Sequence, residues 1–470
     1  MSERKQKPIN VLIYGAGSAG KQLKISLDRH PIYRTKGFID DNLNLQKSNV
    51  MGLEVFNKSE ISNVKKILNI KGIILAIPSL NEISLNQISR FCIDSKLFVT
   101  KVPTIDELIK GKKNINQLDS LSVKEFLSRE EVSDTNNFFD LDFTKENVLV
   151  TGGGGSIGSE LCLQLIEKKV KNLFVIENHE YSIFKLKSKL NKHKNINFLL
   201  GDINDFNFLT YILKKNKVSS VFHAAAYKHV YLLETNSKAA IKNNIFGTYN
   251  CLNASINAKV KKFVLISTDK AVKPANIMGI TKRMAELIVL SRPRNEIKTT
   301  IVRFGNVLGS KGSVIPLFLE QIKQGGPVCI TDPKATRYFM TIKEAVSLVL
   351  IASNKFEDNK IFILDMGRPK KIIDLAKEII FMNGLVPVIG NTKLPGEMNI
   401  IYTGLKKGEK LNEILSTSKK FEHTSHKKIK YVIEPTLTKK EIEKFLIKIQ
   451  KLLKIDDLAK LESELRDFTK

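Results

Sequence analysis

A chain of 470 residues with 42% hydrophobic content has room for two to three domains and buries sizeable cores, so it reads as globular and enzyme-sized. Its formal net charge of +28 is mostly lysine spread along the chain, with no arginine cluster among aromatics, no Cys/His finger and no long basic tail; this reads as a solvated lysine surface rather than a nucleic-acid interface, from which anionic substrates would still benefit. No window approaches the ~18 consecutive apolar residues of a spanning helix and no apolar leader opens the chain, while Cys92, Cys162, Cys251 and Cys329 form no CxxC, so a reducing cytoplasm without a membrane span is expected.

In chain order the sequence reads as an α/β protein with two Rossmann-like doubly wound modules. The first, residues 1–115, opens with the apolar run Asn10-Val-Leu-Ile-Tyr14, then Gly15-Ala-Gly-Ser-Ala-Gly20 and an amphipathic helix through Leu27. Gly37-Phe-Ile-Asp40-Asp41, Gly72 to Pro78 and Phe98 to Pro103 supply its further strands. Residues 116–145 are polar and irregular and read as a linker. The second module, 146–305, runs from Val148-Leu-Val150 through a glycine-rich turn and a helix to strands at Leu173–Glu177, Asn197–Leu200, Ser220–Ala225, Lys262–Ser267 and Thr299–Arg303. Helix-period segments separate them. That alternation predicts a parallel sheet covered on both faces, with ligands at the carboxyl ends of its strands. Residues 306–437, punctuated by Gly and Pro, read as a smaller substrate-binding lobe interleaved with the catalytic domain. The tail 438–470 carries Ile442, Phe445, Leu446, Ile449, Leu452 and Leu453 at helical spacing and predicts one amphipathic helix, docked or in an oligomer contact.

The stretch TGGGGSIG at 151–158 follows a strand and opens a helix. Glycines at Gly152, Gly155 and Gly158 allow a tight turn and close backbone approach to a pyrophosphate, with Ser156 and Ile157 at the helix N-terminus. Glu177, about 20 residues on, ends the next strand, where a carboxylate accepts from both ribose hydroxyls and repels a 2′-phosphate; NAD is favoured over NADP. Asp202-Ile203 ends the third strand, in reach of an adenine amino group. The earlier GAGSAG has the same context with Asp40 following, but no catalytic groups accompany it, so a bound nucleotide and a scaffold that keeps only the fold both stay open. His423 and His426 form an HxxH without further ligands, and no metal site is expected.

The stretches YGAGSAG, GFIDD, AIPS, VLVTGGGGSIGSEL, HAAAYKHV, NNIFGT, ISTDKAVKPANIMGITKR, RFGNVLGSKGSVIPLF, ATRYFMTIKEA and GLKKGEKLNE carry a family resemblance from Val11 to at least Leu415. The chain resembles the bacterial polysaccharide-biosynthesis nucleotide-sugar 4,6-dehydratases, extended short-chain dehydrogenases acting on UDP-N-acetylglucosamine-type substrates. Larger members carry transmembrane helices before the first module, which this sequence lacks. It departs from the common pattern at Glu177 for Asp, Tyr231 after YKHV and Asp332 before Pro.

The resemblance implies a short-chain dehydrogenase site in which Met278 stands where Tyr is usual, four residues before Lys282. A thioether exchanges no proton, so a plain dehydrogenase or 4-epimerase mechanism is hard to run there. Asp269 as acid and Lys270 as base suit dehydration instead, with Thr268 on the C-4 hydroxyl, Lys282 on the nicotinamide ribose and Ala224 and Ala225 beside the cofactor. Lys228, His229, Asn306, Ser313 and Arg337 match positions around the nucleotide sugar, Arg337 as a diphosphate clamp, and Glu409 and Lys410 close the uridine end. The activity implied is a NAD-dependent UDP-N-acetylglucosamine 4,6-dehydratase that retains the C-5 configuration and serves surface-glycan synthesis. Implied partners are a UDP-sugar, further copies of the chain, and a downstream aminotransferase or other nucleotide-sugar enzyme, in the cytoplasm or peripheral at the inner membrane. A UDP-hexose 4-epimerase and a non-catalytic NAD-binding scaffold remain the alternatives.

Overall fold

The computed structural model describes residues 8–101 and 141–469, apart from 79, 293–294, 356–358, 392–393, 395, 417–420 and 456. Of the expected linker, residues 116–140 lie outside the described residues. The chain divides into two compact units. The first draws on Met1–Arg129, Val314–Lys334 and Lys371–Gly404, the second on Glu130–Ser313, Ala335–Lys370 and Leu405–Lys470. The region expected as one lobe over 306–437 is thus shared between them.

In the first unit the apolar run becomes β1 (Ile9–Tyr14), parallel to β2 (Tyr33–Ile39) and β5 (Gly72–Leu75). β3 (Asn49–Val50), β4 (Leu53–Phe56) and β6 (Phe98–Lys101) complete a sheet of order β3-β4-β2-β1-β5-β6. The same unit holds the helices Val314–Lys323 and Ile372–Met382 and a three-stranded parallel sheet of Val328–Ile330, Glu397–Tyr402 and Val386–Ile389.

The second unit is built on nine strands. β7 (Asn147–Thr151), β8 (Asn172–Glu177), β9 (Ile196–Leu200), β10 (Ser220–His223), β11 (Lys262–Ile266) and β12 (Lys298–Arg303) lie in the order β9-β8-β7-β10-β11-β12, all parallel. Lys360–Leu364 extends the sheet in parallel, and Ile429–Val432 and Glu422–His423 close it antiparallel. Strand residues alternate between two cores: Leu149, Val221, Phe263, Leu265 and Ile301 face one, Val148, Val150, Phe222, Val264 and Val302 the other. Burial on both faces is why these strands read as continuous apolar runs rather than alternating ones. The chain passes from one side of β7 to the other between β9 and β10, so a crevice opens at the carboxyl ends of β7 and β10.

The tail forms two helices where one was expected, Lys439–Ile455 and Leu458–Phe468. Asp457 ends the continuity by accepting from Lys460 N at 3.0 Å, which caps the second helix. Phe445 stacks on Phe468 with ring centroids 3.6 Å apart, and Ile442, Leu446, Ile449 and Leu452 join the core around the helix Ile277–Leu290. Among the described residues no helix is long and apolar enough to cross a membrane.

Candidate active site

The glycine-rich turn is shaped by close approach. Gly152 sits at φ +68°, and a Cβ there would lie 2.7 Å from the Ala225 backbone N; a Cβ at Gly158 would lie 2.1 Å from the Gly152 carbonyl O. Both positions therefore require glycine. The helix Ser156–Glu167 then starts without a side-chain cap, which leaves its first amides, at Ser156, Ile157 and Gly158, to partners outside the helix. Glu177 closes the turn from β8: its Oε2 accepts from Gly154 N at 2.8 Å, and Oε1 from Asn178 N at 3.1 Å and His179 N at 3.2 Å. A carboxylate has about four acceptor sites, so room for a hydroxyl remains. Asp202 Oδ1 accepts from Asn204 N at 2.8 Å, while Ile203 is buried against Gly247.

β11 delivers Ser267 and Thr268 to the same end of the sheet. Ser267 N donates to Val302 O at 2.8 Å and Asp269 N to Phe304 O at 3.1 Å, which ties the strand end to β12 and its continuation. Thr268 caps the short 3-10 turn Asp269–Ala271. Asp269 is fully buried: Oδ1 accepts from Thr268 Oγ1 at 2.9 Å and from Lys270 Nζ at 3.0 Å, and Oδ2 has no hydrogen-bond partner. Lys270 Nζ also donates to Asn306 Oδ1 at 3.1 Å.

Asn276 caps the next helix by accepting from Gly279 N at 2.8 Å, and this sets the phases of Met278 and Lys282. Met278 is buried in the apolar core. Lys282 Nζ donates to Ile266 O at 2.7 Å, and burial pushes its ammonium down to about 8 against the opposing pull of Glu286. Beneath the site, Glu286 accepts from Ser267 Oγ at 2.6 Å and from Arg303 Nε at 2.7 Å, and Arg303 Nη1 donates to Glu434 Oε1 at 2.6 Å. Burial raises the Glu286 pKa, but Arg303, Arg283 and Ser267 together hold it below its ordinary value. Removing one member of such a buried pair costs about 3–5 kcal/mol, because a charge is left uncompensated.

The expected sugar-side residues divide. Asn306 comes to Lys270, and the Ser313 hydroxyl is buried without a partner. Lys228 and His229 face the segment that follows Asn306: a Cβ on Gly312 would meet His229 Cε1 at 2.3 Å. Desolvation, then Lys311, lowers the Lys228 pKa; desolvation, then Lys228, lowers that of His229. Arg337 instead donates to Thr336 O at 2.7 Å, Leu411 O at 2.9 Å and Lys410 O at 2.8 Å, while Lys410 Nζ donates to Val272 O at 2.8 Å and Glu409 Oε2 accepts from Lys406 N at 3.1 Å. These three residues fasten the segment 405–413. Among the described residues no group of three or more His, Cys, Asp or Glu is placed to hold a metal ion.

Sequence reading passed over His223, at the end of β10. Its Nε2 lies 3.0 Å from Thr248 Oγ1 and its Nδ1 2.8 Å from Thr151 Oγ1. Thr248 Oγ1 donates to Asn244 O at 2.7 Å, so it accepts from His223 Nε2–H, and His223 Nδ1 accepts from the Thr151 hydroxyl. Burial, then Lys282, pushes the imidazole down to about 3. Its strand-end position in HAAAYKHV was the available signal.

Residues 148–435 match the family described as "Polysaccharide biosynthesis protein". The capsular polysaccharide biosynthesis protein CapD of Staphylococcus aureus is 40% identical over 414 residues, covering 86% of this chain and 68% of that protein. A UDP-glucose 4-epimerase of Rickettsia canadensis is 34% identical over 284 residues, 59% of this chain and 79% of its own. Among solved structures, Pen from Bacillus thuringiensis superposes with a TM-score of 0.56 at 35% identity, over 63% of this chain and 90% of that one.

Proposed function

The chain belongs to the polysaccharide biosynthesis protein family, and from that membership we propose that it is a NAD-dependent 4,6-dehydratase of UDP-N-acetylglucosamine. The observation that carries this reading is the pairing of Asp269 with Lys270 at 3.0 Å at a strand end, where the position of a phenol is taken by the buried Met278. Such a site has an acid and a base, with a thioether where the phenol would stand.

The turn at 151–158 fits a dinucleotide, because side chains are excluded at Gly152 and Gly158 where backbone must approach closely. Glu177 would hold the adenosine ribose, Ser156 and Ile157 the diphosphate, and Lys282 the nicotinamide ribose. When bound, NAD supplies the two-electron oxidation at sugar C-4 and its reversal at C-6. Thr268 Oγ1 hydrogen-bonds the C-4 oxygen. Lys270 Nζ takes the C-5 proton once C-4 is a ketone, and Asp269 protonates the departing C-6 hydroxyl, which leaves as water. For those roles Lys270 must be a neutral amine and Asp269 a neutral acid. The C-4 hydroxyl proton passes through Thr268 Oγ1 to Asp269 Oδ1, which Thr268 contacts at 2.9 Å, and it is this proton that Asp269 gives to the departing hydroxyl. Lys270 serves removal and return of the C-5 proton on one face, so C-5 keeps its configuration.

The 34% identity to a UDP-glucose 4-epimerase favours a second reading, 4-epimerisation. Incubation with UDP-N-acetylglucosamine followed by mass spectrometry separates the two. The dehydratase gives a product lighter by one water without added NADH; unchanged mass across several UDP-sugars would sink that reading.

A further inference from the structure

We propose that Lys311 and Lys228 form a cationic clamp on the diphosphate of the cofactor, an inference that rests on the NAD reading above. The glycine-rich turn and the segment after Asn306 meet at named atoms. Lys311 N donates to Ser156 Oγ at 3.3 Å, and Lys311 Nζ donates to the Gly154 carbonyl at 3.2 Å. Gly309 and Gly312, at φ +71° and +67°, bend the chain on either side of Lys311. Any side chain at Gly312 would strike the His229 ring, so glycine lets this segment lie against the residue that follows Lys228.

The charges at this place are unbalanced. The segments carrying the two lysines meet where Gly312 faces the His229 ring, and desolvation, then Lys311, lowers the Lys228 pKa. Among the described residues neither has a carboxylate partner; the Lys311 ammonium donates to the Gly154 carbonyl, a neutral acceptor. Lys311 lies at the N-terminus of the helix Ser156–Glu167, where the helix dipole adds a further positive partial charge. Both lysines are solvent-exposed, so a diphosphate reaching the turn from solvent would gain their charge in addition to that of the helix N-terminus. A diphosphate carries charge and acceptor oxygens enough for both lysines and the helix amides. The cofactor diphosphate fits better than that of the substrate, because Lys311 touches the turn itself. A clamp also suits a cofactor that is regenerated in every cycle and has no need to leave.

The test uses the full-length protein stripped of nucleotide, with NAD and UDP as separate titrants in calorimetry. Lys311→Met is expected to weaken NAD binding at least tenfold, more at low salt than at high, to lower the NAD content of protein as purified, and to leave UDP affinity within twofold. Lys228→Met should act in the same direction, and Lys311→Arg, which keeps the charge, should bind NAD like the wild type. NAD affinity unchanged in Lys311→Met, or UDP affinity lost in place of NAD affinity, overturns the clamp. A wild-type protein that binds no NAD defeats the underlying reading itself, and so is told apart from failure of the clamp. Thermal melting of each variant without ligand separates lost binding from lost folding.

Discussion

The two glycine-rich turns are nearly the same object. Gly15 and Gly152 both take positive φ, +104° and +68°, and a Cβ on Gly20 or Gly158 would come within 1.9 Å or 2.1 Å of the carbonyl oxygen of the glycine that opens its turn. In each, the acid at or just after the end of the second strand accepts from an amide of the turn: Asp40 Oδ2 from Ala16 N at 2.7 Å, Glu177 Oε2 from Gly154 N at 2.8 Å. The difference lies one strand away. Tyr14 is paired across the first sheet with Leu75, whereas Thr151 in the second is paired with His223, and β11 beyond it leads to Thr268, Asp269 and Lys270. The glycine turn is thus a requirement of strand-to-helix packing, and the proposed chemistry rests on the neighbouring strand ends.

The largest expected effect strikes those strand ends alone. Lys270→Met should lower dehydration by ~100-fold or more, the scale of a general acid–base group, while NAD binding is kept; near-wild-type turnover would move the base elsewhere. Next is a paired test of the turns. Gly158→Ala should abolish NAD binding by forcing the helix off the turn, and Gly20→Ala should destabilise the first unit yet leave one NAD per chain, as measured by calorimetry. If Gly20→Ala lowers a stoichiometry of two to one, the first turn is a second nucleotide site. Glu177→Ala should weaken NAD by about tenfold, one charge-assisted hydrogen bond's worth, and relax the exclusion of NADP. Preference for NADP in the wild type would contradict the ribose role.

The strands of the second sheet were legible because burial on both faces writes them as apolar runs such as Lys262-Phe-Val-Leu-Ile-Ser267. The glycine turn was legible because its spacing is dictated by contacts within a few residues. What depended on distant partners was not. Nothing local in sequence says that Arg337 would spend its donors on the carbonyls of Lys410 and Leu411, or that Asn306 would hold Lys270. The sharing of 306–437 between two units was hidden for the same reason, since the periodicity of Val314–Lys323 or Ile372–Met382 marks an apolar face but not the surface it meets. The break in the tail rests on Asp457, whose capping role only its amide partner reveals.

The smallest expected effect concerns His223, the residue that takes the place of Leu75 in the comparison. Its folded pKa of about 3 lies below the ~6.5 of a free imidazole, so between those values the unfolded chain binds one proton more than the folded one. Stability therefore rises with pH across that window, and is lost as pH falls below ~6.5 at up to ~1.4 kcal/mol per pH unit from this residue. His223→Gln keeps a donor for Thr248 and has no proton to gain. Urea unfolding at several pH values between 7 and 5 should show a shallower acid-side decline in that variant, by about one proton, with little change at pH 7 beyond the lost packing. Identical slopes in the two proteins would mean that His223 is protonated in the fold, and the arrangement Thr248–His223–Thr151 would then have to be redrawn with both ring nitrogens donating.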